Sequence, residues 1–203
     1  MNRRELLQRV AWMMGGAISA PAALGVLGGC SAKKEIGWKP VFLSDEQAAL
    51  VAEVAEIIIP KTDTPGAKDA GVPAFIDTLL KDVYTQEDRD RYLAGLKAFD
   101  DGAQSKYGKP FMQLGKKEQA EYVQAANDEA VAVELAYDPR PKTLRRPFIL
   151  MTKELSLLGF FTSEPGATQV LQHVAVPGAY QACVPLAKAG NGKAWAQEMS
   201  RRF

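Results

Sequence analysis

Histidine and cysteine, the side chains on which many nucleophilic and metal sites depend, are scarce in this chain. The 203 residues include one histidine, His173, and two cysteines, Cys30 and Cys183. A zinc site built from His and Cys, or a Ser-His-Asp triad, has almost none of the required His and Cys side chains to draw on. His173 could act as a general base, but a lone histidine without an identifiable partner is more often a surface or hydrogen-bonded structural residue.

Two pairs of acidic residues could in principle form the carboxylate pair that hydrolysis or cation binding uses. Asp63 and Asp69 lie in one Pro- and Gly-rich loop, and Asp100 and Asp101 are adjacent in the sequence. Solvated loop acids are far commoner than catalytic ones. We therefore predict no catalytic residue and no metal site in this chain, and an enzyme that uses these loop acids is the weaker alternative.

The chain also lacks the sequence motifs of the common redox cofactors. It contains no Gly-x-Gly-x-x-Gly and no Cys-x-x-Cys-His, and two cysteines cannot hold a four-cysteine iron–sulfur cluster. Its 25 Lys and Arg residues nearly balance its 24 Asp and Glu residues, so no basic excess is available for binding phosphates. We predict neither a cofactor in this chain nor a nucleic-acid partner.

The first 29 residues have the composition of an export signal. A basic start with Arg3 and Arg4 precedes 23 residues without a charge. The arginine pair followed by two leucines resembles the twin-arginine signal, which addresses proteins that are exported already folded. Several glycines make the uncharged stretch a weak membrane-spanning helix, and an uncleaved anchor is the alternative.

Cys30 follows a Leu-Gly-Gly sequence that resembles a bacterial lipobox, in which the cysteine becomes the lipidated first residue of the mature protein. Each buried methylene of an acyl chain contributes about 0.8 kcal/mol, so a multiply acylated Cys30 would hold the protein on a membrane surface. The alternative is a chance cysteine in a Gly-rich cleavage region. We predict a signal over residues 1–29 and a single periplasmic domain over residues 30–203.

If Cys30 is lipidated, Cys183 is the remaining thiol. An odd cysteine in an exported protein indicates an intermolecular disulfide or a free thiol. The alternative from the sequence alone is a buried cysteine that packs as a small apolar residue.

The rest of the chain shows helical periodicity and no series of strands. A capping box starts the first helix, a proline in the first turn starts the second, and a threonine caps the third. We predict helices that begin at Ser44, Val72 and Thr85, a helix over residues 116–126, a weak one over 128–136, and a largely apolar one over 148–161. An all-α fold follows, a compact irregular helical bundle whose last helix is central, buried in the core or against a partner.

The last forty residues or so have too little periodicity to pack alone. Pro and Gly interrupt this part repeatedly, and residues 174–180 have the composition of extended chain. We predict an extended C-terminal tail that wraps the helical body or a partner subunit.

Several sequence strings, in their order and spacing, resemble the gluconate 2-dehydrogenase subunit 3 family. They cover nearly the whole mature chain: LSDEQ at 43–47, IIIP at 57–60, TDTPGA at 62–67, GVP at 71–73, FID at 75–77, GFFTSEPGAT at 159–168, VPG at 176–178 and CVPL at 183–186.

This resemblance implies a non-catalytic small subunit of a periplasmic sugar or polyol dehydrogenase. Members typically accompany a large FAD-containing subunit of the glucose-methanol-choline class, and often a cytochrome c subunit that accepts electrons with its haem. The large subunit usually lacks an export signal, so the twin-arginine signal of the small subunit would carry the folded, flavin-loaded partner across the membrane.

Within this hypothesis we predict contacts with the large subunit through Phe160, Phe161, Tyr180 and Cys183, with an intersubunit disulfide at Cys183. Ordinary core packing is the alternative for each phenylalanine. The alternative for the whole chain is a free-standing periplasmic helical lipoprotein that acts as a binding or envelope-stabilising module.

Overall fold

The computed structural model describes residues 37–135, 146–173, 183–185, 187–188 and 192–196. Five α-helices lie within these residues: α1 (Asp45–Ile58), α2 (Val72–Asp82), α3 (Gln86–Tyr107), α4 (Lys116–Leu135) and α5 (Phe148–Thr162). A short 3₁₀ helix (Phe111–Gln113) joins α3 to α4, and a π-helical turn (Gly166–Val170) follows α5. The prediction of an all-α fold is confirmed.

The helix starts follow from local hydrogen bonds that the sequence encodes. The predicted capping box of α1 is present, because the Ser44 hydroxyl accepts the Gln47 N–H at 3.2 Å and the Gln47 side chain accepts the Ser44 N–H at 3.0 Å. At α3, the Thr85 hydroxyl accepts the Asp88 N–H at 3.2 Å. These contacts satisfy N–H groups that have no partner within the helix.

α4 is one continuous helix, and the prediction of two shorter helices over residues 116–126 and 128–136 is wrong. The polar side chains of Asn127 and Asp128, where the predicted break between the two helices lay, have hydrogen-bond partners that the apolar periodicity does not show. Asp128 accepts a hydrogen bond from Gln124 at 2.7 Å, one turn earlier in the same helix. Lys153 of α5 donates to Asn127 at 2.9 Å. These polar residues therefore take part in hydrogen bonds within α4 and between α4 and α5, and they do not interrupt the helix.

α5 lies at the centre of the core and packs against each of the four other described helices. Its buried residues occupy most of the helix circumference: Phe148, Ile149, Leu150, Met151, Thr152, Leu155, Ser156, Gly159 and Phe160. A helix that is apolar on most faces can be stable in water only when other elements cover it. The prediction of a central apolar helix is confirmed.

A buried hydrogen bond fixes how α3 packs on α5. Tyr92 of α3 is fully buried, and its hydroxyl lies 2.9 Å from the Thr152 hydroxyl of α5. The Tyr92 ring also meets the Phe148 ring edge-on at a centroid distance of 5.0 Å. Burial raises the pKa of the Tyr92 phenol, so the group stays neutral and each hydroxyl supplies the other's partner in a dry environment.

We expect Tyr92→Phe and Thr152→Val each to lower the free energy of unfolding by about 1–3 kcal/mol, because each leaves one buried hydroxyl without its partner. The double variant should lose clearly less than the sum of the two losses, as measured by urea denaturation. Tyr107→Phe, at a half-buried tyrosine of the same helix, is the control and should change stability by less than about 0.5 kcal/mol. Additive losses in the double variant would contradict the coupling.

Candidate functional site

The loop between α1 and α2 contains the Thr-Asp-Thr-Pro-Gly-Ala string and is held by one carboxylate. Glu56 of α1 accepts the N–H of Lys61 at 3.2 Å and the N–H of Lys68 at 2.9 Å. A Cβ atom added to Gly66 would overlap a carboxylate oxygen of Glu56 and would lie 2.7 Å from the Lys61 nitrogen. Glycine is therefore required at this position because the carboxylate fills the space of a side chain.

The acids of this loop do not form a catalytic pair in the structure. Asp69 forms an ion pair with Lys61 at 2.8 Å, and this hydrogen bond lowers the pKa of the Asp69 carboxyl and raises the pKa of the Lys61 amine. Asp63 accepts a hydrogen bond from the Thr62 hydroxyl at 3.0 Å. Both acids are exposed, and each has its own local partner.

The second acid pair is also divided between two local roles. Asp100 accepts the N–H of Phe111 at 2.8 Å and so ties α3 to the 3₁₀ helix. Asp101 forms a surface ion pair with Lys97 at 2.5 Å. Burial, and to a smaller extent the charge of Asp100, raises the pKa of Tyr122. Across the residues that the structure describes, no group of three or more His, Cys, Asp or Glu side chains could hold a metal ion.

Sequence reasoning missed a buried glutamate on α1. Glu53 is 1% exposed and forms ion pairs with Lys68 of the following loop, at 2.7 Å, and with Lys116 at the start of α4. A buried carboxylate must be paired because the loss of hydration is otherwise too costly. The signal was a charged residue inside the apolar run Val-Ala-Glu-Val-Ala. Glu53 joins α1, the loop and α4 through charge.

A second buried acid was missed on α2. Asp77 is completely buried, and its carboxylate accepts the N–H groups of three consecutive residues before α1, Val41 at 2.6 Å, Phe42 at 3.1 Å and Leu43 at 2.7 Å. The signal was again an acid beside apolar positions of a helix, in the Phe-Ile-Asp string. This contact fixes the segment that leads into the helical body.

The Thr-Ser-Glu-Pro-Gly-Ala string forms a tight turn at the end of α5. The Ser163 hydroxyl donates to the Phe160 carbonyl at 2.6 Å and accepts the Gly166 N–H at 3.1 Å. A Cβ atom on Gly166 would overlap the Phe160 carbonyl oxygen, which belongs to the backbone and cannot rotate away. The Thr-Asp-Thr-Pro-Gly-Ala and Thr-Ser-Glu-Pro-Gly-Ala strings thus each contain a glycine, Gly66 and Gly166, at which a neighbouring oxygen occupies the space of a Cβ atom.

The predicted partner-contact residues have different environments. Phe160 is 3% exposed and packs in the chain's own core, which was the alternative to a partner contact. Phe161 is partly exposed, and its ring meets the Phe160 ring edge-on. Cys183 is exposed with a free thiol, so the alternative of a buried cysteine is wrong. Four other predicted residues lie outside the described residues: Arg3, Arg4, Cys30 and Tyr180.

Residues 192–196 of the C-terminal tail pair with the π-helical turn and the residues that follow it, where Lys193 also donates to the Gln169 carbonyl at 2.6 Å. Gln172 donates its N–H to the Ala194 carbonyl and accepts the Ala196 N–H, both at 2.8 Å, which forms a single parallel bridge between Gln172 and Trp195. Exposed apolar side chains lie on this tail at Val184 and Trp195. His173, the residue considered as a general base, is exposed beside the bridge.

The described helices include none that combines the length and the apolar character of a membrane span.

We expect Gly166→Ala to lower the free energy of unfolding by about 1–3 kcal/mol, because the added methyl group has to displace backbone at the end of α5. Gly37→Ala is the control, since no atom lies within 4 Å of its added Cβ and its backbone is not in the left-handed region. Thermal or urea unfolding measures both. Equal stability of the two variants would show that the turn does not need a glycine.

Comparison with known proteins places these elements in a family. The model of the family described as gluconate 2-dehydrogenase subunit 3 matches residues 45–178, which is more than half of the chain. The match runs from the first residue of α1 past the π-helical turn that follows α5. Searches of curated proteins and of solved structures found no match. The resemblance seen in the sequence strings is confirmed, and the chain belongs to the gluconate 2-dehydrogenase subunit 3 family.

Proposed function

We propose that this chain is the non-catalytic small subunit of a periplasmic, FAD-dependent sugar dehydrogenase complex. The match to the subunit 3 family over residues 45–178 is the observation that carries the proposal. In this proposal FAD and catalysis belong to a large subunit of the glucose-methanol-choline class. Electrons pass from it to a cytochrome c subunit with haem. The small subunit carries the folded large subunit through export and stabilises it afterwards.

The use of acidic residues supports an accessory role. Glu56 and Asp100 accept backbone N–H groups, as does the fully buried Asp77. Glu53 is neutralised by two lysines from other elements. These carboxylates hold loops and helix ends of the chain in place. Such a use of charge is consistent with a supporting role for another subunit.

The partner surface that we propose lies at the end of α5 and on the C-terminal tail. Phe161 is partly exposed there, and the tail carries exposed apolar side chains and the free thiol of Cys183. Aromatic residues are enriched in protein interfaces, and tryptophan and tyrosine are among the residues that supply most of the binding energy. We propose that Tyr180 belongs to the same contact and that Cys183 forms the intersubunit disulfide.

The N-terminal residues supply export and attachment in this proposal. Arg3 and Arg4 form the twin-arginine signal, and Cys30 becomes the lipidated residue that holds the complex on the membrane surface. Removing residues 1–29 takes away three Arg and one Glu, so the mature subunit is nearly neutral.

Co-purification tests the complex directly. A tagged chain produced together with its genomic neighbours should be isolated with a large chain that shows the absorbance of oxidised flavin. Isolation of the chain alone as a monomer would contradict the proposal and would favour the free-standing helical lipoprotein.

Replacing both Arg3 and Arg4 with Lys should abolish export of this chain and of the flavin-containing partner together, because the twin-arginine route depends on the pair. Immunoblots of periplasmic fractions measure both proteins. Arg9→Lys is the matched control, since it changes another arginine of the same basic segment and leaves the pair intact. Unchanged export in the double variant would contradict the carrier role.

Cys183→Ser should remove a covalent link between the small and large subunits. The wild-type complex should give one combined band in non-reducing gel electrophoresis and two bands after reduction, because the exposed thiol is available for pairing. The variant should give two bands in both conditions, whereas the control Cys30→Ser should keep the combined band. Separate bands for the unreduced wild type would contradict the disulfide.

A further inference from the structure

The buried carboxylate of Asp77 holds a part of the chain that is distant in sequence. Its two oxygens accept the N–H groups of three consecutive residues that lie 34 to 36 positions earlier. We call these residues, Val41–Leu43, the junction segment, because they lie between the N-terminal region and the first helix. Ser44, the capping residue of α1, follows directly.

The chemistry of this contact makes it cooperative. An ionised carboxylate forms stronger hydrogen bonds with N–H donors than a neutral acceptor does. If the junction segment moved away, the completely buried Asp77 would lose all three partners together and would have to be rehydrated. The three hydrogen bonds of the segment are therefore lost together when it leaves α2.

Arg89 of α3 adds a second attachment at the same place. Its guanidinium carbon lies 5.8 Å from the centre of the Phe42 ring, which is a cation–π distance. The same guanidinium donates to the Lys81 carbonyl at the end of α2, at 3.0 Å. The junction segment thus contacts both α2 and α3, and its conformation depends on the packing of these helices.

We infer that Asp77 fastens the junction segment to the folded body, so that the connection between the export signal and the body is protected only in a folded chain. In an unfolded chain, proteases can reach the peptide bond between Phe42 and Leu43. Cleavage there separates the export signal from an unfolded body, which the twin-arginine route does not carry because it exports folded proteins. The link to export rests on the proposed function, whereas the fastening rests on the contacts of Asp77 alone.

Hydrogen exchange of the wild-type full-length chain tests the fastening without any substitution. The amide protons of the junction segment should exchange much more slowly than those of exposed loops, because all three exchange only when the segment leaves Asp77. Exchange at the rate of exposed loop amides, such as that of Asp63, would overturn the inference.

Asp77→Asn provides the matched test by substitution. The amide nitrogen places a donor against N–H donors while the side chain keeps its shape. Chymotrypsin should cleave the variant after Phe42 at least tenfold faster than the wild type under native conditions, as measured by mass spectrometry. Asp100→Asn is the control, because Asp100 accepts a single N–H from Phe111 elsewhere in the fold, and its cleavage after Phe42 should equal that of the wild type.

Equal cleavage of Asp77→Asn and wild type would overturn the fastening. If the Asn variant fails to fold, hydrogen exchange of the wild type still tests the fastening.

The amount of exported chain in cells tests the link to export, and it should fall at least fivefold in Asp77→Asn. Fast cleavage after Phe42 together with wild-type export would overturn the link to export and leave the small-subunit role intact. Failure of that role is detected separately, by co-purification.

Discussion

The structure depends on covering one helix. α5 is apolar on most of its circumference, and the four other described helices pack around it. Each of these four helices packs one face against α5. The positions of the loops and turns between them follow from this packing. The hydrogen bond between Tyr92 and Thr152 fixes the contact between α3 and α5 more specifically than apolar packing alone would.

Carboxylates on the helices then hold the connections between the covering helices. Asp77 binds the backbone before α1, Glu56 binds the loop after α1, and Glu53 joins that loop to the start of α4. In each case the acid is on a helix and its partners come from a loop or from another helix. These contacts fix the position of the connections, which suits a subunit that we propose to act as a support for a larger one.

The sequence predicted the features that depend on neighbouring residues and missed those that depend on distant ones. The capping box of Ser44 and Gln47 and the apolar content of α5 are local, and both were predicted correctly. The junction at Asn127 was misread as a break because its partner, Lys153, lies on another helix. The role of Asp77 could not be predicted because its three donors are more than thirty positions away. Cys183 was left open between burial and exposure, since the sequence does not show which surface the tail follows.

The single bridge between Gln172 and Trp195 changes the kind of segment on which Cys183 lies. Because the bridge holds both ends together, Cys183 belongs to a closed loop and not to a free chain end. A closed loop samples a smaller volume than a tail of the same length, so part of the entropy of positioning the thiol has already been lost when the chain folds. A partner thiol bound within reach of the loop would therefore meet Cys183 at a higher effective concentration. Opening of the bridge together with the hydrogen bond of Lys193 to the Gln169 carbonyl would lower that concentration without changing the cysteine itself.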